Sequence, residues 1–459
     1  MIVRSIDAVI RMLDADYIEN GNIEEKIKGV CIDSRKVVEG NLYIPIRGIH
    51  HNGHVFVQQA IENGARSVLW EKKETLQPPK DVVVILVEDT TKALAQLAKA
   101  YRHQLKMKIV GITGSNGKTS TKDMLASVLK QRYLTQKTLG NFNNEIGVPL
   151  TLLSFNEHVE VGVVEMGMEN LHELSYLSHL VNPDIALITN VGTAHLENLK
   201  TMDNIAKAKV EIVDGLHHQG LFLYNGDQEL LVRTVKMTEI PGSIGIRTFG
   251  CHEGNDVVVS KVRQTMHGLS FQLNDKEFHL DMLGKHQAMN AAGVYMVARA
   301  LGLTNEEIQA GFLKVEKTGL RNELIHCGKC LILNDSYKSN PQSSLAAMDT
   351  MEAFDVPYKI AVLADMLELG ETSDKIHYEL GKDVSRYSVQ EVLTIGDMAR
   401  YITQGVWNHT DTIKVKHFCD KQSLQAYLQP YMKKECMVLV KGSRGMKLDE
   451  LVDNLVKSR

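Results

Sequence analysis

Cysteine is scarce. Six residues, Cys31, Cys251, Cys327, Cys330, Cys419 and Cys436, serve a chain of 459. They are too few and too scattered for the disulfide framework of a small secreted domain, so a reducing compartment is expected. Apolar runs are short. None reaches the roughly 18 residues of a membrane-spanning helix, and no membrane span is expected. A basic surplus is also missing: 52 Lys+Arg against 56 Asp+Glu leave a net charge of −4. That balance argues against a dedicated nucleic-acid binder. Any anionic ligand must instead be met by basic groups gathered locally. The opening segment, MIVRSIDAVIRMLDADYIEN, carries acids inside its apolar pattern and reads as an amphipathic helix rather than a secretion signal. Internal repeats and low-complexity segments are lacking too.

What is present is a globular composition, 44 % hydrophobic and 24 % charged, long enough for two to four domains at roughly 100–200 residues each. Short β-rich runs alternate with helical patterns, which predicts α/β layers with mostly parallel sheets. Three blocks separate. Residues 1–105 include the strand-like Val82–Val87 and a helical stretch from Thr91 to His103. Residues 106–316 open on Lys108–Thr113 (KIVGIT), followed by Val161–Glu165, Asp184–Thr189 and Leu221–Tyr224. Within that block, residues 256–281 resemble antiparallel hairpin material. Residues 317–459 hold Leu331–Asn334, Lys359–Ala364, Val392–Ile395 and Met437–Val440.

The strongest local signal is Thr113-Gly114-Ser115-Asn116-Gly117-Lys118-Thr119, followed by Ser120. It lies between a predicted strand and a helical pattern from Thr121 to Gln131. A glycine turn there lets backbone N–H groups point inward, and the helix N-terminus adds partial positive charge for a phosphate. Lys118 would reach the β/γ-phosphates and the Thr119 hydroxyl would ligate Mg²⁺. The loop is a variant: Ile112 stands six residues before the lysine, where the general pattern has glycine.

Glu165 ends the VGVVE run, and His195 lies six residues past the ALIT run. In an open parallel sheet, ligands collect outside the carboxyl ends of strands. Thr119, Glu165 and His195 could therefore converge on one Mg²⁺–ATP site. Taken alone, Glu165 reads as a solvated strand-end acid and His195 as a loop histidine. The stretch Asn204 to Leu216 has a helical pattern in which Lys207 and Glu211 could pair. Lys209 lies nearer its apolar face, where a salt-bridged or snorkelling lysine is the ordinary reading.

Two further clusters carry little. Cys327-Gly328-Lys329-Cys330 is a lone CxxC, expected in a hairpin turn, with no second pair to complete a zinc site. His50, His51 and His54 sit in a glycine-rich loop without an acid or cysteine at a useful spacing, which predicts a solvated or substrate-side loop.

TGSNGKTS at 113–120, NFNNEIGVPL at 141–150 and Ala208-Lys209-Val210-Glu211 together resemble the Mur ligases of peptidoglycan synthesis. The resemblance runs through the chain. Ile32-Asp33-Ser34-Arg35 and Gly40-Asn41-Leu42-Tyr43 resemble the family's substrate domain. Residues 284–291 (GKHQAMNA) resemble its adenine-side motif. Asn334-Asp335-Ser336-Tyr337 with Asn340-Pro341, the run 363–370 (LADMLELG) and Lys441-Gly442-Ser443-Arg444-Gly445 resemble its C-terminal domain. The chain departs from the family pattern at Asn52, in place of Asp, at Lys338-Ser339, in place of Asn-Ala, and at Ala364, in place of Gly.

The resemblance implies three domains: a smaller N-terminal α/β domain (1–105) for a UDP-muramoyl peptide, a central P-loop-type ATPase (106–316), and a Rossmann-like C-terminal domain (317–459) that binds a dipeptide and closes on ATP. Within the family, NFNNEIGVPLTLL is most similar to the branch that adds D-alanyl-D-alanine to UDP-N-acetylmuramoyl tripeptide through an acyl phosphate. The implied roles follow. Lys118, with Gly114, Ser115, Asn116, Gly117, Thr119 and Ser120, would hold ATP. Thr119 and Glu165 would bind one Mg²⁺, and His195 would help hold a second. Lys209 matches a lysine the family carbamylates with CO₂, which would make it a metal ligand. Asn290 would touch adenine, Arg321 a phosphate and Asp335 the ribose. Ser34, Arg35, Asn141, Asn143 and Asn144 would contact the UDP-muramoyl peptide, with Arg35 the leading basic candidate. A monomer is expected. Other readings stay open: a tripeptide-forming or folylpolyglutamate-type ligase, a P-loop switch or motor, and a non-catalytic scaffold.

Overall fold

The protein is described by a computed structural model covering residues 1–48 and 51–457. His50 lies outside the described residues. Among them, the strands form a two-, a five-, a nine- and a six-stranded sheet.

The nine-stranded sheet is central. Its middle strands are β-branched runs buried on both faces, as parallel strands between helices must be. Lys108–Thr113 lies between Val161–Glu165 and Ile185–Ile188, parallel to both. The segment 256–281 is antiparallel as expected: Val257–Thr265 pairs with Gly268–Leu273, which pairs with Lys276–Leu280.

The five-stranded sheet joins Asp16–Ile18, Val83–Val87, Ser67–Glu71, Leu42–Tyr43 and Val30–Cys31 in that order. Its helix Thr90–Gln104 starts where Asp89 accepts from the Thr91 and Lys92 amides, both at 2.9 Å. Leu94, Leu97, Ala98 and Tyr101 repeat at helical spacing and are buried. They join one apolar core with Val148, Leu152, Phe155 and Leu174 of the central sheet's helices. Tyr101 Oη donates to the Phe155 carbonyl at 2.8 Å, and Arg102 Nε to the Val181 carbonyl at 2.9 Å. The first block is therefore packed onto the second.

The six-stranded sheet carries apolar cores on its two faces, one of which also takes in Leu283 of the central unit. Hairpin Glu323–Cys327/Cys330–Asp335 forms one edge, with Cys327 opposite Cys330 at the turn. Its contacts to the central unit include polar ones, among them Gln264 Nε2 to the Thr350 carbonyl at 3.0 Å.

Three local expectations are corrected. The opening segment is a strand (Val3–Ser5), a short helix (Ile6–Leu13) and a strand (Asp16–Ile18), because Asp14 turns into the left-handed region at φ 48° and ends the helix. Glu211 does not pair with Lys207; its carboxylate accepts from the His172 and Ser175 amides at the start of helix Glu173–Val181, where an anion meets free N–H groups. His54 is buried, edge-on to Trp70, with Nδ1 2.8 Å from Asn52 Oδ1. Asn52 Nδ2 in turn donates to Glu74 at 2.8 Å and holds that carboxyl down at about 2. An aspartate at 52 would set two carboxylates against each other, which explains the asparagine.

Candidate active site

Three neighbouring strands of the central sheet deliver their carboxyl ends to one cleft of about 1120 Å³. Lys108–Thr113 runs into the phosphate loop, Val161–Glu165 ends on its acid, and Ile185–Ile188 leads to His195. The cleft is lined by Lys118, Thr119, Glu165, His195, Asn290, Arg321 and Asp335. Sequence expectations 217 positions apart, from 118 to 335, thus meet in space.

The loop is held by its neighbour strand. Ser115 N donates to the Asn190 carbonyl at 2.9 Å, and Ser115 Oγ exchanges bonds with Gly192. Gly117 sits at φ 80° and caps helix Lys118–Leu129. A Cβ there would stand 2.7 Å from Asn290 Oδ1, so only glycine fits between loop and helix. Lys118 folds back, its Nζ donating to the Gly114 carbonyl at 2.7 Å. Burial, with Lys338 adding and Glu165 opposing, lowers its ammonium to about 8.

Thr119 Oγ1 lies 2.9 Å from Glu165 Oε2. That is the separation of adjacent oxygens in an octahedron with bonds of about 2.1 Å, the geometry Mg²⁺ demands. Two hard oxygens beside a phosphate loop fit that ion. Asn143 Nδ2 donates to Glu165 Oε1 at 2.8 Å and buried Lys122 stands 3.5 Å from Oε2, so the carboxylate is fixed from both sides.

His195 is built differently. Its Nδ1 is 3.1 Å from Glu368 Oε2, and its Nε2 is 3.1 Å from Lys338 Nζ. Burial pushes the imidazole below its ordinary range; Glu368 opposes and Lys338 adds to the push. Glu368 is held at about 2, chiefly by the bond from His195. His195 and Glu368 both take positive φ, at 64° and 68°. Such strain in non-glycine residues clusters at functional sites.

Lys209, on helix Met202–Val210, is 2 % exposed. Among the described residues its amine makes no hydrogen bond or ion pair. Burial drives it well below the usual lysine range, and the two charges that add to the effect, Lys118 and Lys338, are both positive. A salt bridge is therefore excluded as its reason for being buried.

The third unit completes the cleft. The Arg321 guanidinium stacks 3.8 Å from the Tyr337 ring centre. Asp335 ends its strand opposite Lys441, whose Nζ is 3.0 Å away. Asn290 donates to Gln287 Oε1 at 2.8 Å while abutting Gly117. Asn340 Nδ2 donates to Asn116 Oδ1 at 2.8 Å, and Gln342 Oε1 accepts from Thr193 Oγ1 at 2.9 Å.

The expected peptide contacts divide. Asn141, Asn143 and Asn144 line the cleft, although Asn143 is committed to Glu165 and Asn144 Oδ1 accepts from the Gly147 amide at 2.9 Å. Ser34 and Arg35 are not brought to it. Ser34 Oγ donates to Gln59 Oε1 at 2.7 Å, and the exposed Arg35 grips Asp33 at 2.8 Å. Lys122, Lys338, Glu368 and Lys441 had no assigned role. Lys338 did carry a signal, since it stands where the family pattern has asparagine. The net −4 chain nevertheless gathers Lys118, Arg321, Lys338 and Lys441 at one cleft.

Known proteins share the sequence pattern and the fold. Residues 26–102 match the Mur ligase family catalytic domain, 112–298 the Mur ligase middle domain, and 320–444 the Mur ligase glutamate ligase domain. The chain belongs to the Mur ligase family. Among its relatives is the UDP-N-acetylmuramoyl-tripeptide–D-alanyl-D-alanine ligase of Bacillus subtilis (strain 168), 38 % identical over 100 % of this chain and 99 % of that protein. The protein of that name from Escherichia coli (strain K12) is 31 % identical over 93 % of each. A crystal structure of MurF from Acinetobacter baumannii superposes with a TM-score of 0.90 at 27 % identity, covering 100 % of this chain and 99 % of that one. MurF ligase from Thermotoga maritima in complex with ADP gives 0.81 at 27 % identity, over 94 % and 97 %.

Proposed function

We propose that this chain is the ATP-dependent ligase that joins D-alanyl-D-alanine to UDP-N-acetylmuramoyl tripeptide, in bacterial peptidoglycan precursor synthesis. The observation that carries the chemistry is the 2.9 Å contact of Thr119 with Glu165 beside Lys118, at the mouth of a glycine phosphate loop. The choice of substrates rests on relatives that share the full length. Residues 1–105, 106–316 and 317–459 serve as muramoyl-peptide, ATPase and dipeptide-binding closing domains. No helix of the described residues is long and apolar enough to cross a membrane.

The uphill step joins a carboxylate to an amine in water. The tripeptide's terminal carboxylate oxygen attacks the γ-phosphorus of ATP, the bond to the ADP oxygen breaks, and an acyl phosphate forms. The dipeptide amine then attacks the acyl carbon; phosphate leaves and the amine loses a proton. Lys118 swings from the Gly114 carbonyl to the transferring phosphoryl and spreads its charge. Thr119 and Glu165 would hold Mg²⁺, which when bound would neutralise charge on the phosphate oxygens. Asn143 and Lys122 keep that carboxylate aimed. Arg321 and Asp335 reach the nucleotide from the third unit, whose closure excludes water from the hydrolysable acyl phosphate.

Lys209 has the environment of a carbamylated lysine. Burial that disfavours the ammonium favours the free amine, which is a nucleophile: its nitrogen attacks the CO₂ carbon, an N–C bond forms and a proton leaves. The product is an anion placed within reach of the fields of Lys118 and Lys338.

The deciding assay supplies ATP, Mg²⁺, UDP-muramoyl tripeptide and D-alanyl-D-alanine and follows phosphate. Release that needs both the tripeptide and the dipeptide is expected; release with ATP alone would point to a switch and overturn the reading.

A further inference from the structure

The resemblance implies a second Mg²⁺ held by His195, but the donors around that imidazole do not fit one. A metal takes a nitrogen lone pair. An ammonium has only donors, so Lys338 Nζ, 3.1 Å from Nε2, fixes Nε2 as the acceptor and places the ring proton on Nδ1, facing Glu368. The one lone pair His195 could offer is already taken, by a positive charge. Glu368, the nearby acid, is shared between the same two groups, at 3.1 Å from His195 and 3.4 Å from Lys338. A divalent ion entering there would meet an occupied ligand and a like charge.

We infer that Lys338 takes the place of a second divalent cation in this chain, so that one metal ion, at Thr119 and Glu165, serves the reaction proposed above, on which this inference rests. Three observations converge. Lys338 lines the same cleft as Lys118 and Arg321. It stands in the segment where the family pattern has asparagine, a residue that brings no charge. Its backbone carbonyl accepts from Lys441 Nζ, which ties its loop to the end of strand Cys436–Lys441. The ammonium is therefore positioned by the third unit and arrives at the phosphoryl site together with Arg321. A protein-borne cation meets the charge of the acyl phosphate without waiting for a second ion to bind.

Mn²⁺ counts the sites directly, because its free aquo ion is visible by electron paramagnetic resonance. The full chain is titrated with Mn²⁺ in the presence of a non-hydrolysable ATP analogue and UDP-muramoyl tripeptide, with a protein-free control subtracted. One tightly bound Mn²⁺ per chain is expected. Two of comparable affinity in the unaltered protein would overturn the inference, and this count needs no variant. Lys338→Asn, checked for its fold by circular dichroism, should bind a second Mn²⁺ and need roughly tenfold more Mg²⁺ for half-maximal turnover. A folded Lys338→Asn protein that still counts one would also overturn it. Failure of the ligase assay would be a separate result, since the metal count does not depend on turnover.

Discussion

Asn116 in the phosphate loop and Asn340 in the third unit are 224 positions apart in sequence, yet Asn340 Nδ2 donates to Asn116 Oδ1 at 2.8 Å. The same Asn340 side chain accepts from the Ser343 amide at 2.9 Å and caps helix Pro341–Glu352. One side chain thus starts a helix and tethers the third unit to the nucleotide loop.

The two duties can be separated. Asn340→Ala should lose about 1 kcal/mol of stability with the cap and raise the KM for ATP. Asn340→Asp keeps the cap, so its urea midpoint should stay near that of the unaltered protein, while ATP binding weakens because a carboxylate cannot donate to Asn116 Oδ1. Equal KM values for Asn340→Asp and the unaltered enzyme would count against the tether.

Lys118 makes a pH prediction. Its folded value, about 8, lies below the 10.5 of a free lysine. Below pH 8 both folded and unfolded chains hold the proton, and the burial penalty is complete. Between 8 and 10.5 the unfolded chain binds more protons, so stability climbs with pH; above 10.5 the penalty is gone. Lys118→Met keeps the length and removes the charge. It should abolish ligation yet be the more stable protein at neutral pH, with the advantage shrinking toward pH 10.5. Paired urea titrations across that range check it. A gap that does not change with pH would rule out Lys118 as its source.

Glu165 and its neighbours predict a split between shape and charge. Glu165→Gln preserves the packing but removes the anion, and turnover should fall by at least about a hundredfold. Glu165→Gln and Glu165→Ala both leave Lys122, 1 % exposed, without its acid at 3.5 Å, and each should cost about 3 kcal/mol of stability. A melting temperature for Glu165→Gln equal to that of the unaltered protein would show that Lys122 does not depend on Glu165.

Lys209→Ala should lose activity and regain part of it with small carboxylates, which can occupy the vacated anion position. In the unaltered protein, ¹³C-labelled bicarbonate should give a carbamate resonance that the variant lacks. Full activity in the variant would remove Lys209 from the mechanism.

The third unit's separate cores predict a motion. Since its two apolar cores are built from its own residues except for Leu283 of the central unit and several of its contacts to the loop are single polar bonds, small-angle scattering should show compaction on adding an ATP analogue and UDP-muramoyl tripeptide. No change in radius would argue for a fixed arrangement.

Much of this was legible in the chain. KIVGIT and VGVVE are strands with the expected ends, because a run of β-branched residues buried on both faces has few other solutions. TGSNGKT declared its loop through glycine. Lys207 and Glu211 show the limit: spacing alone offered a pair, and the free amides of another helix took the carboxylate instead. Ser34 and Arg35 lie in a recognisable motif, but only the fold shows their local partners, Gln59 and Asp33.

The sequence by itself determined the class of site: a phosphate loop and a strand-end acid, both read from neighbouring residues whose chemistry is local. The tertiary structure alone decided that Lys338 would sit on His195, that Lys209 would be buried among cations, and that Lys122 would brace Glu165. Those are relations between elements far apart in the chain. Charge acts through distance in space, which only packing sets.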